Sequence, residues 1–396
     1  MSERHHLPEE ILIEILTRLP VRSLARFTAV SKSWFFFITS PAFASAHLRH
    51  SRCRGNSAGN LLFHRRFEIS SKKEKYEILE ESDHQTLTPI SSPQICPPIA
   101  CKVGYFRVVG CYNGVVCLSD DLYSDSYAMY LWNPWIQKFK TLPPPTIRPA
   151  WPFTSTLGFG VNPQCVDDLK VVRAVFGRNG ECQGIPDVPP DVEIYSLRTG
   201  KWRRISAVGV NLYMINFIWS QTFAHGAVHW IGYKSLDNEM FKCSIAVFTL
   251  DNEVFSEIML SDELASGVVG SSLNIMTFGE SIVVAKYGEA IHGAYCELWM
   301  MKEYGVVESW CRLRRIELVE GMRRIVGFRE NSDILFSTNE GELVSYCPDT
   351  EVINKLGIYG SIRSLYVGKY LESLVLLQEQ SCVIDGLSEE MTSMSI

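Results

Sequence analysis

Apolar residues follow a helical period at the start of the chain and a strand period from about residue 61 onward. In the first segment they recur on two helix faces about 100° apart. Proline suits the first position of a helix, and Pro20 ends this one. Two more short helices are predicted over 21–30 and 31–39, where Ser40-Pro41 stops the run. The apolar positions of the first helix are Leu7, Ile11, Ile15 and Leu19 on one face and Leu12 and Leu16 on the other.

These short helices carry more apolar surface than they can bury among themselves. Some forty residues rarely sustain a core of their own, and an exposed apolar surplus usually marks an interaction site. We therefore expect a docking face for a partner protein. The alternative is a helical cap that packs on its own chain.

The segment LPEEILIEILTRLPVRSLARFTAVSKSWFFFITSPAF, residues 7–43, resembles an F-box. The resemblance rests on LP, EILxEILxRLP and VSKSW in order and at the usual spacing. It implies docking to a Skp-type adaptor of cullin-based ubiquitin ligases. By this resemblance the adaptor contacts or their immediate support are Leu7, Pro8, Ile11, Leu12, Ile15, Leu19, Pro20, Leu24, Val30 and Trp34.

Five later segments share one layout, in which an aromatic residue ends a strand and a large apolar residue follows on the next strand. Four of these pairs are seven residues apart, and the midpoint of each falls on a turn. The two side chains are therefore predicted to face each other across a hairpin. The fifth pair is eleven apart and predicts a longer hairpin. The pairs are Trp132/Phe139, Tyr195/Trp202, Phe248/Phe255, Trp299/Trp310 and Tyr346/Ile353.

A hairpin recurring about every 50 residues, with further strands before it, predicts four-stranded blades packed radially. Five blades are visible, and a sixth forms if residues 361–377 pair with strands in 61–79. The predicted fold is a small all-α segment followed by an all-β, six-bladed propeller-like ring, with an irregular β-sandwich as the alternative. Its predicted divisions are helices over 1–50, a linker over 51–60, the β domain over 61–377 and a disordered tail over 378–396.

Several motifs of the β region resemble the plant F-box-associated interaction domain, which is often described with kelch-like repeats. They include CYNGVVCL, LWNPWIQKFKTLPPP, LGFGVNP and HGAVHWIG, within residues 100–320. Leu169 stands where that family usually has tyrosine, and His225 stands where an asparagine commonly precedes the glycine. Both departures concern packing or turn geometry.

The composition and net charge of the chain limit the classes of partner that we expect it to bind. The 396 residues carry a net charge of −6, which suggests neither a nucleic-acid nor a membrane surface as the main partner. The start of the chain has no signal-peptide core, and no run approaches a membrane span. Twelve cysteines are scattered without a Cys-x-x-Cys pair. We expect reduced thiols and a cytoplasmic or nuclear location.

The sequence offers no constellation that predicts catalysis or a metal. It lacks a Walker loop, an H-E-x-x-H motif and a dinucleotide fingerprint. His225 and His229 lie in a strand-turn-strand pattern, where a spacing of four does not place two imidazoles on one metal. We expect no enzyme activity, cofactor or metal. Five arginines near one strand end form either a solvated rim or a site for an acidic or phosphorylated motif: Arg312, Arg314, Arg315, Arg323 and Arg324.

The function implied is substrate recognition in a Skp–cullin–F-box ubiquitin ligase. The helices dock the adaptor and through it the cullin, and the β domain holds a protein substrate on its loops. Two alternatives stay open, a scaffold that binds the adaptor without ubiquitin transfer and a propeller that binds a ligand or acts as an enzyme. The substrate is unknown. The longest predicted loops, and so the candidates for holding it, are 119–128, 177–191, 233–241 and 286–295.

Overall fold

The chain folds into four N-terminal helices and a six-bladed β-propeller. The computed structural model describes residues 8–53, 60–82, 86–90, 95–102, 104–121, 127–148, 153–177, 189–207, 213–214, 221–235, 241–268, 272–291 and 293–379. Most of the predicted linker over 51–60 and tail over 378–396 lies outside these residues. Of the predicted linker, residues 51–53 belong to a helix that continues to Cys53, and Asn60 is the first residue of a strand.

Prolines and serines set the boundaries of the four helices. Pro8 and Pro20 are the N-cap residues of the first two. The Ser31 hydroxyl accepts a hydrogen bond from the Trp34 backbone N–H at 3.2 Å, which caps the third. Ser40-Pro41 ends the third helix as predicted, and Pro41 is also the first residue of the fourth. The helices are α1 (Glu9–Thr17), α2 (Val21–Phe27), α3 (Lys32–Ile38) and α4 (Pro41–Cys53).

The propeller is closed by strands from both ends of the chain. β1 (Asn60–Glu68), β2 (Lys73–Ser82) and β3 (Thr86–Pro89) form one sheet with the last strand, β25 (Tyr366–Tyr370). β1 pairs with β25 in antiparallel register, so Phe63 lies opposite Gly368. The predicted pairing of the C-terminal segment with the first strands is confirmed. It excludes the open sandwich, because the sixth blade completes a ring.

The other five blades follow along the chain. Blade 1 has β4 (Arg107–Tyr112), β5 (Val115–Ser119), β6 (Met129–Asn133) and β7 (Lys138–Thr141), and blade 2 has β8 (Phe153–Asn162), β9 (Cys165–Gly177), β10 (Asp191–Ser196) and β11 (Lys201–Ile205). Blade 3 has β12 (Tyr213–Met214), β13 (Gln221–Ala224), β14 (Ala227–Ser235), β15 (Phe241–Thr249) and β16 (Phe255–Met259). Before blade 4 stands the one-turn helix α5 (Asp262–Ala265). Blade 4 has β17 (Leu273–Phe278), β18 (Ser281–Ala290), β19 (Gly293–Met301) and β20 (Trp310–Glu317). A 3-10 turn over Val307–Ser309 precedes β20. Blade 5 has β21 (Met322–Phe328), β22 (Ile334–Thr338), β23 (Glu342–Tyr346) and β24 (Ile353–Tyr359).

The four seven-residue pairs lie directly opposite each other, as predicted. Trp132 faces Phe139, Tyr195 faces Trp202, Phe248 faces Phe255 and Tyr346 faces Ile353. The fifth predicted pair is wrong. A bulge between Leu298 and Trp299 shifts the register, so that Trp310 faces Met301 and Trp299 faces Arg312.

Large side chains between the blades form the core. Trp132, Tyr195 and Trp230 are all buried. Gly158 lies where a β-carbon would meet the Trp230 ring at 2.5 Å, so the blade 2 backbone can approach this ring closely. Leu169, one of the two departures from the family pattern, is buried in a core cluster.

The two ends of the propeller carry different connections. Turns between the first and second strands, and between the third and fourth strands, lie at one end. Connections between the second and third strands, and between blades, lie at the other. Two sequence predictions need correction here. Residues 80–100 are rich in Ser, Thr and Pro, a composition that predicts an irregular loop, but they include β3, which pairs with β2. Residues 286–295, predicted as a loop, are mostly the paired ends of β18 and β19.

Candidate functional site

One face of the four helices packs on the propeller. Leu16, Val21 and Leu24 of α1 and α2 are buried in one apolar cluster with the C-terminal residues Leu374 and Leu377. Ile38, Phe43 and the partly buried Trp135 and Ile136 of the β6–β7 turn complete this cluster. We call residues 373–379, which run from the last strand across this contact, the C-terminal strap. One face of the helices is therefore buried against the rest of the chain. This agrees with the alternative interpretation of the sequence, in which the helices form a cap that packs on its own chain.

Polar contacts hold this junction in one arrangement. The Asn133 side-chain amide donates to the Ser373 carbonyl at 3.0 Å and to the Val375 carbonyl at 2.9 Å. The Arg52 guanidinium donates to the Asn113 side-chain oxygen at 2.7 Å. The Arg22 guanidinium lies 4.3 Å from the centre of the Trp135 ring, within the range of a cation–π interaction. The contacts on the propeller side come from the β4–β5 and β6–β7 turns, so the helices cover the end of the propeller that carries these turns.

The opposite face of the helices leaves large apolar side chains in solvent. Ile11 and Ile15, one turn apart on α1, are 43% and 48% exposed. Val30 and Phe36 are 66% and 69% exposed, and Phe35 is 41% exposed. Isolated apolar residues on a surface are ordinary, but five large exposed ones within 26 residues are a surplus of the kind that partner proteins cover. We call these five residues the exposed helix face.

The ten residues predicted as adaptor contacts or support divide by burial. Pro8, Ile11, Ile15, Pro20 and Val30 are exposed and available for direct contact. Leu12, Leu19 and Trp34 are half-buried against the inner cluster, and Leu24 is fully buried in it. These four support the face rather than form it. Leu7 lies outside the described residues.

Two residues of the exposed helix face, Phe35 and Phe36, were missing from the predicted contacts. Three consecutive aromatic residues in a short helix point in directions about 100° apart, so they cannot all face one core. Phe37 packs against Phe43 at a ring distance of 5.1 Å. The run of three aromatic residues could therefore have indicated that some of its rings are exposed.

The propeller end away from the helices is the second candidate surface. The segments 119–128, 177–191, 233–241 and 286–295 join β5 to β6, β9 to β10, β14 to β15 and β18 to β19, and the strand ends that they join lie at this end of the propeller. Residues 122–126, 178–188, 236–240 and 292 within them are outside the described residues. The β18–β19 hairpin carries fully exposed Ile291 at its turn.

Buried polar contacts fix the backbone at this second surface. The Glu193 carboxylate accepts hydrogen bonds from the backbone N–H groups of Thr146 and Ile147 at 2.7 and 3.2 Å. It also pairs with the Arg173 guanidinium at 2.6 Å, and both side chains are almost completely buried. The connection between blades 1 and 2 is thereby held to the blade 2 sheet.

His225 and His229 form a structural cluster with Tyr304. The His229 Nε2 atom lies 2.8 Å from the Tyr304 hydroxyl, and the His225 ring centre lies 4.1 Å from that of Tyr304. Burial, together with the nearby His225, lowers the pKa of His229 to about 4. His225 has a positive φ of 49° in the β13–β14 turn, a conformation in which asparagine is more usual. Its departure from the family pattern is thus a matter of turn geometry.

The five arginines divide between two blades. Arg312, Arg314 and Arg315 lie on the outer strand β20 and pair with carboxylates, as in the 3.2 Å contact of Arg312 with Glu297. Arg323 and Arg324 lie on the innermost strand of blade 5. They are therefore not one cluster, and the three on β20 have the local ion pairs of a solvated rim.

The described part of the chain holds no group of three or more His, Cys, Asp or Glu side chains placed to bind a metal ion. Among its helices, none is both long and apolar enough to span a membrane.

Comparisons with known proteins match both parts of the chain. The family model described as F-box associated beta propeller domain matches residues 61–381, and the F-box-like model matches residues 5–45. Among curated relatives, F-box protein CPR1 of Arabidopsis thaliana is 25% identical over 93% of this chain and 89% of its own length. An F-box/kelch-repeat protein of the same plant is 26% identical over 88% of this chain and 89% of its own length.

Solved structures show weaker similarity. TolB from Acinetobacter baumannii is 10% identical with a TM-score of 0.40, covering 84% of this chain and 70% of TolB. The Aleuria aurantia lectin AAL is 11% identical with a TM-score of 0.39, covering 72% of this chain and 89% of the lectin. Similarity at this level carries no argument about function.

Proposed function

The chain belongs to the family of F-box-associated β-propeller proteins, and on that premise we propose that it is the substrate-recognition subunit of a Skp–cullin–F-box ubiquitin ligase. The observation that carries this proposal is the exposed helix face. Its five large apolar side chains lie on a segment that matches an F-box-like domain. Interface cores are enriched in aromatic side chains, and a few well-packed anchors usually carry most of the binding energy.

In this proposal the exposed helix face binds a Skp-type adaptor. Half-buried Trp34 packs edge-on against Phe27 at 5.5 Å and supports the face from beneath. Fully buried Leu24 ties the same segment to the propeller. Charged side chains such as Glu14 and Arg18, which pair at 2.6 Å, stand beside the apolar patch as a polar rim.

We further propose that the protein substrate binds at the propeller end away from the helices. The helices and the C-terminal strap cover the other end, where the β4–β5 and β6–β7 turns lie. The free end carries the connections between blades, and loops on a rigid scaffold commonly bind partners. The chain itself has no catalytic step in this proposal. It brings a substrate lysine close to the ubiquitin-transfer machinery by raising its effective concentration.

The test is co-expression of the full chain with a Skp-type adaptor, followed by size-exclusion chromatography and a binding measurement. In the variant, Ile11→Asp and Ile15→Asp place two charges in the exposed helix face. We expect affinity to fall roughly 100-fold or more, because each anchor of this kind contributes about 2 kcal/mol or more. The matched control is Val254→Asp with Val352→Asp, two apolar residues of the propeller with similar exposure.

Normal adaptor binding by the double isoleucine variant, with a folded propeller, would refute the docking role of this face. Co-purification of cullin with the wild-type complex supports the ligase. A stable adaptor complex that excludes cullin would instead identify a scaffold without ubiquitin transfer.

A further inference from the structure

The central channel of the propeller holds a cavity of about 1120 Å³. The inner strands of five blades line it, and residues 17–21 and 50–52 of the helices line the end where the helices pack. Its volume is of the size that holds a small organic ligand. The cavity is separate from the exposed helix face.

Side chains along the cavity wall form a polar tier and an apolar tier. Gln221, Asn274 and Arg324 line it near the start of β13, β17 and β21. Inner strands enter from the end away from the helices, so this tier lies toward the proposed substrate surface. In β13 and β17, side chains two residues further along return to the same face. The cavity is lined there by Phe223 and Met276.

Two oxygen atoms of the polar tier have unused hydrogen-bonding capacity. The side-chain oxygens of Gln221 and Asn274 are buried and make no hydrogen bond within the part of the chain that the structure describes. Asn274 as a whole is only 7% exposed. Leaving a buried acceptor unsatisfied is costly, so such atoms call for an explanation. A ligand with hydroxyl or N–H groups would satisfy both.

Arg324 adds a partly buried guanidinium to the same tier. Burial lowers the pKa of Arg324, Tyr287 acts in the opposite direction and the neighbouring Arg323 adds to the lowering, so that the pKa is about 9. An anion beside the guanidinium would favour the charged form and reverse the shift. The planar guanidinium also matches carboxylate and phosphate groups in two-point contacts.

We propose that the channel binds a small organic anion that also carries hydrogen-bond donors, with Arg324 holding the anionic group and Gln221 and Asn274 accepting its hydrogen bonds. The apolar body of the ligand lies against Phe223 and Met276. The inference does not depend on adaptor docking. If the proposed substrate surface is correct, the ligand lies directly beneath it and forms part of the surface that the substrate contacts.

The experiment measures binding of para-hydroxybenzoate to the full chain by isothermal titration calorimetry at millimolar concentrations. Para-hydroxybenzyl alcohol is the uncharged comparison, and benzoate lacks the hydroxyl donor. Arg324→Gln removes the proposed anion contact, and Arg323→Gln, an exposed arginine next to it, is the matched control. We expect wild type and Arg323→Gln to bind equally, and Arg324→Gln at least about tenfold more weakly.

A second variant keeps the test decisive if Arg324→Gln fails to fold. Met276→Trp fills the apolar tier and retains the guanidinium, so it is expected to lose binding. Benzoate and the neutral alcohol are expected to bind more weakly than the probe. Unchanged affinity in either cavity variant, equal binding of the neutral alcohol, or no binding of para-hydroxybenzoate by wild type would each overturn the proposal. Adaptor binding is measured separately and is unaffected in every variant if the two sites are independent.

Discussion

Glu193→Gln tests whether the surface between blades 1 and 2 is held by a buried charge pair. The substitution keeps the shape of the side chain, so no cavity forms. It removes the charge that pairs with Arg173 at 2.6 Å, and the guanidinium stays almost completely buried. Removing one partner of a buried ion pair costs about 3–5 kcal/mol, because the remaining charge is uncompensated.

The expected shift in melting temperature follows from the size of the propeller. An unfolding entropy of about 2.1 cal/mol/K per residue gives roughly 0.7 kcal/mol/K over residues 61–381. A loss of 3–5 kcal/mol then lowers Tm by about 4–7 °C. Circular dichroism on heating measures this shift. The Thr146–Ile147 connection should also become more sensitive to limited proteolysis, since its backbone N–H groups lose a carboxylate acceptor.

Two further variants separate the charge from other effects. Glu317→Gln breaks the exposed pair with Arg315 and should change the free energy of unfolding by less than about 1 kcal/mol. Adding Arg173→Met to Glu193→Gln removes the stranded charge and should recover part of the lost stability. A Tm for Glu193→Gln that matches the Glu317→Gln control would contradict the reasoning.

Three other predictions concern the histidine cluster, the core and the strap. Burial lowers the pKa of His229 to about 4 from 6.5, so protonation favours the unfolded chain, and lowering the pH through that window should reduce the free energy of unfolding by up to about 3 kcal/mol. Urea titrations should show a smaller pH dependence for His229→Gln, and equal slopes would exclude this histidine as the cause. Gly158→Ala should cost about 1–3 kcal/mol by overpacking, whereas Gly177→Ala, with open space at its β-carbon, should be near neutral in thermal unfolding. Leu374→Ser with Leu377→Ser should speed trypsin cleavage of the helices while the propeller keeps its Tm, and unchanged cleavage would show that the strap does not hold them.

The hairpin pairs show which part of the fold can be predicted from the sequence. Two large residues seven apart around a turn, such as Phe248 and Phe255, leave one symmetric register. The same midpoint argument fails for Trp299 and Trp310, because it assumes a ladder without extra residues. The bulge at Leu298/Trp299 breaks that assumption.

The β18–β19 hairpin was mistaken for a loop because its end is exposed on both faces. Residues 289–291 and 293–294 are all exposed, so no hydrophobic alternation marks them as strand. The pairing is supported by Tyr295, which lies across Gly288. A β-carbon on that glycine would come within 2.5 Å of the tyrosine ring. A glycine seven residues before an aromatic residue, as in Gly288 and Tyr295, was the weak sequence indication of a hairpin here.

Contacts at the helix–propeller junction could not be predicted, because they join distant parts of the chain. Asn133 and Val375 are 242 residues apart. Nothing in their local sequence relates one to the other. The exposed helix face was predictable in outline, since it follows from local helical spacing. Its division into exposed Ile15 and buried Leu16 depends on where the strap docks.

The strap gives the proposed function a geometric consequence. Helices and propeller share one apolar cluster and the Asn133 hydrogen bonds, so their relative orientation is set by packing. The innermost strands β4, β17 and β25 have five or six residues, which makes the propeller about 17–20 Å high. A substrate at the far end is therefore held at a fixed distance and direction from the adaptor. Which substrate lysine the ubiquitin-transfer machinery reaches then depends on where the substrate binds on the propeller. A fixed junction allows little change in the orientation of the propeller relative to the helices.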